Sequence, residues 1–150
     1  MSRQPSRRWH DMLHLTRQPA ASWHRARIRE ELKERRAART WCHRLSETAD
    51  ILFSLSRAHH DGFPVRSLPC MPAPYYALAY PYMLAKYTSR WGFYQIAARL
   101  AGAPDYYLVR EVVNPSKSTK LSEVATRHKI DQVKFERACR RLLRIWPLPP

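Results

Sequence analysis

Proline sets the limits on this chain. Twelve prolines interrupt 150 residues, against only three glycines. Each proline lacks a backbone donor and clashes with the preceding helical turn, so this density argues for helices broken into short pieces. The glycines, Gly62, Gly92 and Gly102, stand far apart, which excludes a glycine-rich loop wrapped around a phosphate. The hydrophobic fraction of 45% is ordinary for a globular protein and is enough for a packed core.

Charge points to the class of partner. Lys and Arg number 27 against 12 Asp and Glu, a formal net charge of +15. The excess is spread out: +7 over residues 1–66, +3 over 67–104 and +5 over 105–150. Arginine dominates at 21 to 6, which suits phosphate because a guanidinium can give two parallel hydrogen bonds. An arginine-rich codon bias gives the same composition without any role for it. Either way, salt-sensitive attraction to polyanions is expected, whether nucleic acid or acidic lipid. Cys42, Cys70 and Cys139 are widely spaced and include no C-x-x-C, so neither a disulfide scaffold nor a zinc cage is expected. Cys42 and Cys139 fall on apolar helix faces, as inert reduced thiols in an intracellular protein would.

Residues 1–21 read as a basic, flexible N-terminal arm, disordered or docking. Trp9, Met12, Leu13 and Thr16 follow helical spacing between Pro5 and Pro19, and an arginine-rich, acid-poor, amphipathic start also describes a mitochondrial presequence. From Ser22, taken as the N-cap, residues 22–150 form a single helical domain. Its first helix carries Ile28 and Leu32 on one face, with Glu30–Lys33 and Glu31–Arg35 pairs on the exposed side. Trp41, Leu45, Ala49, Leu52 and Leu55 continue the pattern, Ser46-Glu47-Thr48 either interrupts the helix or lies within it, and Gly62 is the stop. Residues 67–85 are uncharged but too broken by proline for a transmembrane segment. They read as a connector entering a tyrosine-rich helix from about Tyr75, kinked or restarted at Pro81. A further segment, about 89–101, stops at Gly102. An aromatic run at helical spacing serves as core before it serves as a base-stacking surface.

The C-terminal third carries the one motif with a functional implication. Asp105 is read as capping a short helix, DYYLVREVV, that Asn114-Pro115 ends; Val109, Val112 and Val113 would also suit a strand, but the sequence offers no second strand to pair with it. A two-turn helix over 122–127 follows, then a tight connection at Lys129-Ile130-Asp131, then a final helix capped by Asp131 and running to about Trp146. The stretch LSEVATRHKIDQVKFERAC (121–139) resembles the helix-turn-helix of DNA-binding proteins. Leu121, Val124, Ala125, Ile130 and Phe135 occupy its apolar and small positions, with Ala125 where the two helices must touch. With the helix over 105–113 in front, residues 105–146 look like the three-helix version. Lys129 stands where the motif normally has glycine, a departure that bears on docking geometry.

On the final helix Phe135, Cys139, Leu142 and Trp146 cluster within about 60° of arc at 100° per residue. Lys134, Arg137, Arg140, Arg141 and Arg144 lie opposite, relieved only by Glu136. If the resemblance holds, Gln132, Lys134 and Arg137 face bases while Arg140, Arg141 and Arg144 lie near phosphate. A solvated surface face is the plain alternative.

Chemistry for an enzyme does not assemble in the sequence. His10 and His14 share a helix face but lack a third ligand and a base. Cys42-His43 point about 100° apart on a helix, and no carboxylate pair stands in an apolar setting. No metal or cofactor is expected. WHRARIREELKERR, LSETADILFSLSRA and DGFPVR, together with LVREVVNPSK and KIDQVKFERACRRLLRIWPLPP, resemble a group of small basic fungal proteins. That resemblance implies no catalytic or binding residues. The expected protein is therefore all-α, non-enzymatic and nucleic-acid binding, with a nuclear location favoured over a mitochondrial one. The alternative is an interaction protein whose helix over 22–58 meets an acidic partner through an apolar strip at Trp41, Leu45 and Leu52.

Overall fold

A computed structural model describes residues 5–65 and 73–147. Among these the chain is all-helical, with no strand. The helices are α1 (Pro5–Leu13), α2 (Ala21–Ala37), α3 (Trp41–His60), α4 (Ala73–Leu100), α5 (Ser118–Arg127) and α6 (Gln132–Leu143), with a 3-10 turn at Tyr106–Leu108. Packing divides the chain into two compact units, Met1–Leu84 and Ala85–Pro150. The proline-rich connector with Cys70 lies outside the described residues.

In the first unit α2 and α3 form a helical hairpin, and α1 packs on α3. The chain turns at Ala38-Arg39-Thr40, and of the two readings at Ser46-Glu47-Thr48 the continuous one holds, since these residues lie inside α3. Ala38 caps the end of α2 and Thr40 starts α3: its hydroxyl accepts from the His43 backbone N–H at 3.2 Å. Arg44 Nε donates to the Ala38 carbonyl at 3.1 Å, satisfying an acceptor that the end of α2 leaves open. The expected cap at Ser22 is also displaced. Ala20 is the N-cap, without a side-chain bond, and Ser22 is already helical. Ile28, Ala49, Ile51, Leu52 and Ala58 are buried in this unit. α1 closes on α3 through the fully buried Leu13 and through Trp9, whose ring meets Phe53 edge-on at 6.0 Å.

α3 and α4 stop in the same way. Gly62 (φ +97) and Gly102 (φ +81) take the left-handed position after each helix. The following residue bonds back across the turn: Phe63 N–H to the Ala58 carbonyl at 2.8 Å, and Ala103 N–H to the Ala98 carbonyl at 3.0 Å. Pro81 neither breaks α4 nor restarts it, and one helix runs from Ala73 to Leu100.

The second unit is built on the aromatic face of α4. Phe93, Tyr94, Ala97 and Ala98 pack with Leu121, Val124, Ala125, Phe135, Cys139 and Leu142 in one core. Residues 105–113 correct the sequence reading, being a single 3-10 turn followed by extended chain, and Asp105 makes no capping bond. Val109 takes extended backbone there, as suits a β-branched residue, and enters the core from it. Arg90 Nη1 donates to the Val112 carbonyl at 3.3 Å, pairing a backbone acceptor that no strand is present to meet.

Candidate functional site

Three devices fix α5 and α6 as a unit. The first is the turn. Lys129 has φ +54, in the left-handed region that Gly62 and Gly102 also occupy, and Ile130 N–H bonds to the Ala125 carbonyl at 2.9 Å. A lysine therefore occupies the left-handed position itself. The second is Asp131, whose carboxylate accepts from the Lys134 backbone N–H at 2.8 Å and caps α6. Glu111 is the third. It is buried on the extended segment and receives the Arg127 guanidinium and, at 3.0 Å, His128 Nε2. These two residues end α5 immediately before the turn, so the carboxylate clamps the chain where it changes direction.

Across the hairpin Phe135 is fully buried and stacks on Tyr94 with ring centroids 6.3 Å apart. Burial pushes the Cys139 thiol up to about 12, so it packs as an inert apolar group. Trp146 Nε1 donates to Ser89 Oγ at 2.8 Å, and its ring meets Phe93 edge-on. The inner face of α6 is thus held at both ends.

The outer face is the candidate site. All six expected residues, Gln132, Lys134, Arg137, Arg140, Arg141 and Arg144, are exposed. Five of them line one open concavity of about 470 Å³, joined by Val133 and Glu136. Lys134 is not part of that lining. The concavity is open, because its walls come from one side of a single helix. Glu136 accepts from Gln132 Nε2 at 2.9 Å and from Arg140 Nη2 at 3.2 Å. The side chains of Arg137, Arg141 and Arg144 make no hydrogen bond or ion pair among the described residues, so three guanidinium groups point outward uncompensated. Sequence spacing did not single out Val133, which is 65% exposed on the first turn.

Two other regions differ from expectation. Glu31 is buried, not on an exposed face, and pairs with Arg27. Its carboxylate and those of Glu34 and Glu47 lie within 4.8 Å of one another, a group with metal-ligand spacing. Burial raises the Glu31 carboxyl to about 7, against the pull of Arg27. Nothing in the sequence marked this cluster, because it forms only once the hairpin folds at residues 38–40. Arg35 donates to Thr48 Oγ1 at 2.9 Å. The second region is the apolar strip. Trp41 is exposed and Leu45 half-buried, but Leu52 is buried, so the three do not make one open surface. Cys42 is exposed, contrary to the expected apolar setting.

No described helix is long and apolar enough to cross a membrane. No protein family, curated protein or solved structure matches the chain.

Proposed function

We propose that this protein is a non-enzymatic nucleic-acid-binding protein that meets the phosphates of DNA or RNA through α6, in a regulatory or architectural role. A nuclear location goes with that role. The observation that carries the proposal is the pairing of opposites on one short helix. Its inner face is locked into a core, and its outer face offers Arg137, Arg141 and Arg144 without internal counter-charges. A merely solvated face has no need of such one-sided charge, since alternating signs would give the same solubility at less self-repulsion. The turn adds support. Ala125, Lys129 and Ile130 stand where a helix-turn-helix has its small contact residue, its left-handed residue and its first apolar residue after the turn, and Lys129 adopts the backbone that the motif requires of a glycine.

The test compares two equal reductions in charge. Arg137→Ala with Arg141→Ala is set against Arg25→Ala with Arg29→Ala, two arginines exposed on α2. Affinity for duplex DNA and for RNA is measured at fixed salt, with circular dichroism to verify folding. The α6 double variant should bind roughly tenfold or more weakly than the α2 variant, since each phosphate contact contributes to counterion release. Equal weakening would remove any special part for α6.

A further inference from the structure

The first unit carries a row of charge of its own, on the outer face of α2. The inner face of that helix is fixed against α3, with His24, Ile28 and Glu31 buried. On the opposite side Arg25, Arg29, Lys33 and Arg36 are exposed at steps of four, four and three. They fall within about 80° of arc at 100° per residue, along roughly 16 Å of helix. None of these four makes a hydrogen bond or ion pair among the described residues.

α2 also holds Glu30, Glu31 and Glu34, enough to interleave with the cations, but it keeps them about 100° or more from the centre of the row. Arg27, on their side, pairs with Glu30 and Glu31. Lys33 is thus without the Glu30 partner that its spacing suggests. Like charges at i, i+4 destabilise a helix, so the row carries a repulsion that a complementary surface removes. Its shape selects that surface. The row is single file and bordered by Glu30, whose side chain is 55% exposed. A duplex or a membrane extends well beyond one helix and would press phosphate on that carboxylate too. A membrane also calls for an apolar edge, and the apolar face of α2 is spent on α3. A second helix, about 10 Å across, lies on the row alone. Ser22, Ala26 and Ala37, among and beside the cations, are exposed and small, so they let it approach.

We infer that the outer face of α2 docks an acidic helical segment of a partner protein, whose carboxylates repeat along one face at the steps of the row. Opposite charges facing each other along paired helices fix partner and register in this way. The inference is independent of the reading of α6.

The full-length chain is tested with two alanine-based helical peptides of about 20 residues. One carries four glutamates at the steps of the row, and the other carries the same four spread round the helix. Affinities are measured by fluorescence anisotropy at low salt. The row peptide should bind about fivefold more tightly than the spread one, since only it meets all four cations at once. Arg25→Gln, Arg29→Gln, Lys33→Gln and Arg36→Gln together should weaken the row peptide about tenfold, each exposed pair contributing a factor of roughly two. Glutamine is a good helix former, and circular dichroism verifies the fold. The matching loss on α6, Arg137→Gln, Arg140→Gln, Arg141→Gln and Arg144→Gln, should weaken that peptide by about threefold at most, through the general field alone. Equal affinity for the two peptides, equal losses in the two variants, or no peptide binding at all overturns the inference and leaves the reading of α6 standing. A loss of affinity for duplex DNA or for anionic vesicles in the α2 variant, as large as its loss for the row peptide, also overturns it by making phosphate the occupant. Unchanged DNA affinity in the α6 variant counts against the reading of α6 alone.

Discussion

Lys129 carries a backbone conformation that costs an L-residue about 1–2 kcal/mol relative to the right-handed region. The helices on either side hold it there through the Ile130–Ala125 bond and the Asp131 cap. Lys129→Gly should therefore stabilise the fold by about 0.5–1 kcal/mol, part of the strain relief being offset by glycine's greater freedom when unfolded. The reverse holds at Gly102, where φ is +81 and an added Cβ would meet open space, so Gly102→Ala should cost about 1 kcal/mol from the backbone alone. Urea unfolding of both variants checks the two signs. Glu31 gives a pH signature of its own. Its carboxyl is raised from 4.5 to about 7 by burial, so between those values the folded chain holds a proton that the unfolded chain has released. Stability from this residue therefore falls as pH climbs through that window and is lowest above it. Glu31→Gln should flatten that slope in urea midpoints measured from pH 5 to 8, and an unchanged slope would count against the buried carboxyl.

Among the elements, α1 is held by groups that titrate. Ser56 Oγ donates to the Phe53 carbonyl at 3.0 Å, which leaves its oxygen to accept from His10 Nε2 at 2.8 Å. His10 also stacks on His60, with centroids 5.2 Å apart, and His60 Nε2 bonds to Asp11 at 2.9 Å. Burial first, then the neighbouring His60 and Arg57, lowers His10 from 6.5 to about 4, while Asp61 and Asp11 pull the other way. A base with a depressed folded pKa is bound neutral, so its contribution to docking is complete above 6.5 and drains away as pH falls toward 4. Amide exchange protection in α1 should therefore decrease over that interval while α5 and α6 keep theirs, and His10→Asn should remove the pH dependence. Legibility in the sequence also varies by element. Gly62 and Gly102 announce the ends of α3 and α4, and Asp131 announces the start of α6, because each is the residue type its backbone position prefers. The turn at 38–40 is hidden because Ala38 and Arg39 are strong helix formers and Thr40 acts as a cap only in its folded context. The extended segment over 109–113 reads as helix in the sequence because no strand partner is in sight. Its backbone groups are met by a side chain, Arg90, and by burial against helices, a solution that local pattern does not encode.

For the molecule as a whole, the proposed polyanion-binding surface is legible in outline and blurred in detail. Helical periodicity alone puts Arg137, Arg141 and Arg144 on the face opposite Phe135 and Cys139, and that face is exposed. Periodicity does not tell that Glu136 is taken up by Gln132 and Arg140, leaving the other guanidinium groups uncompensated, nor that Val133 stands open among them. A net charge of +15 guarantees some attraction to any polyanion, so affinity at a single salt concentration says little about where binding occurs. The salt dependence of binding separates a site from a diffuse field. Removing one arginine–phosphate pairing should reduce the slope of log K against log salt concentration by about 0.9 on duplex DNA. The decisive measurement is that slope for the unaltered chain and for the Arg137→Ala, Arg141→Ala variant. A slope shallower by about 1.8 in the variant is the predicted result, and an unaltered slope in a folded variant would contradict binding through α6.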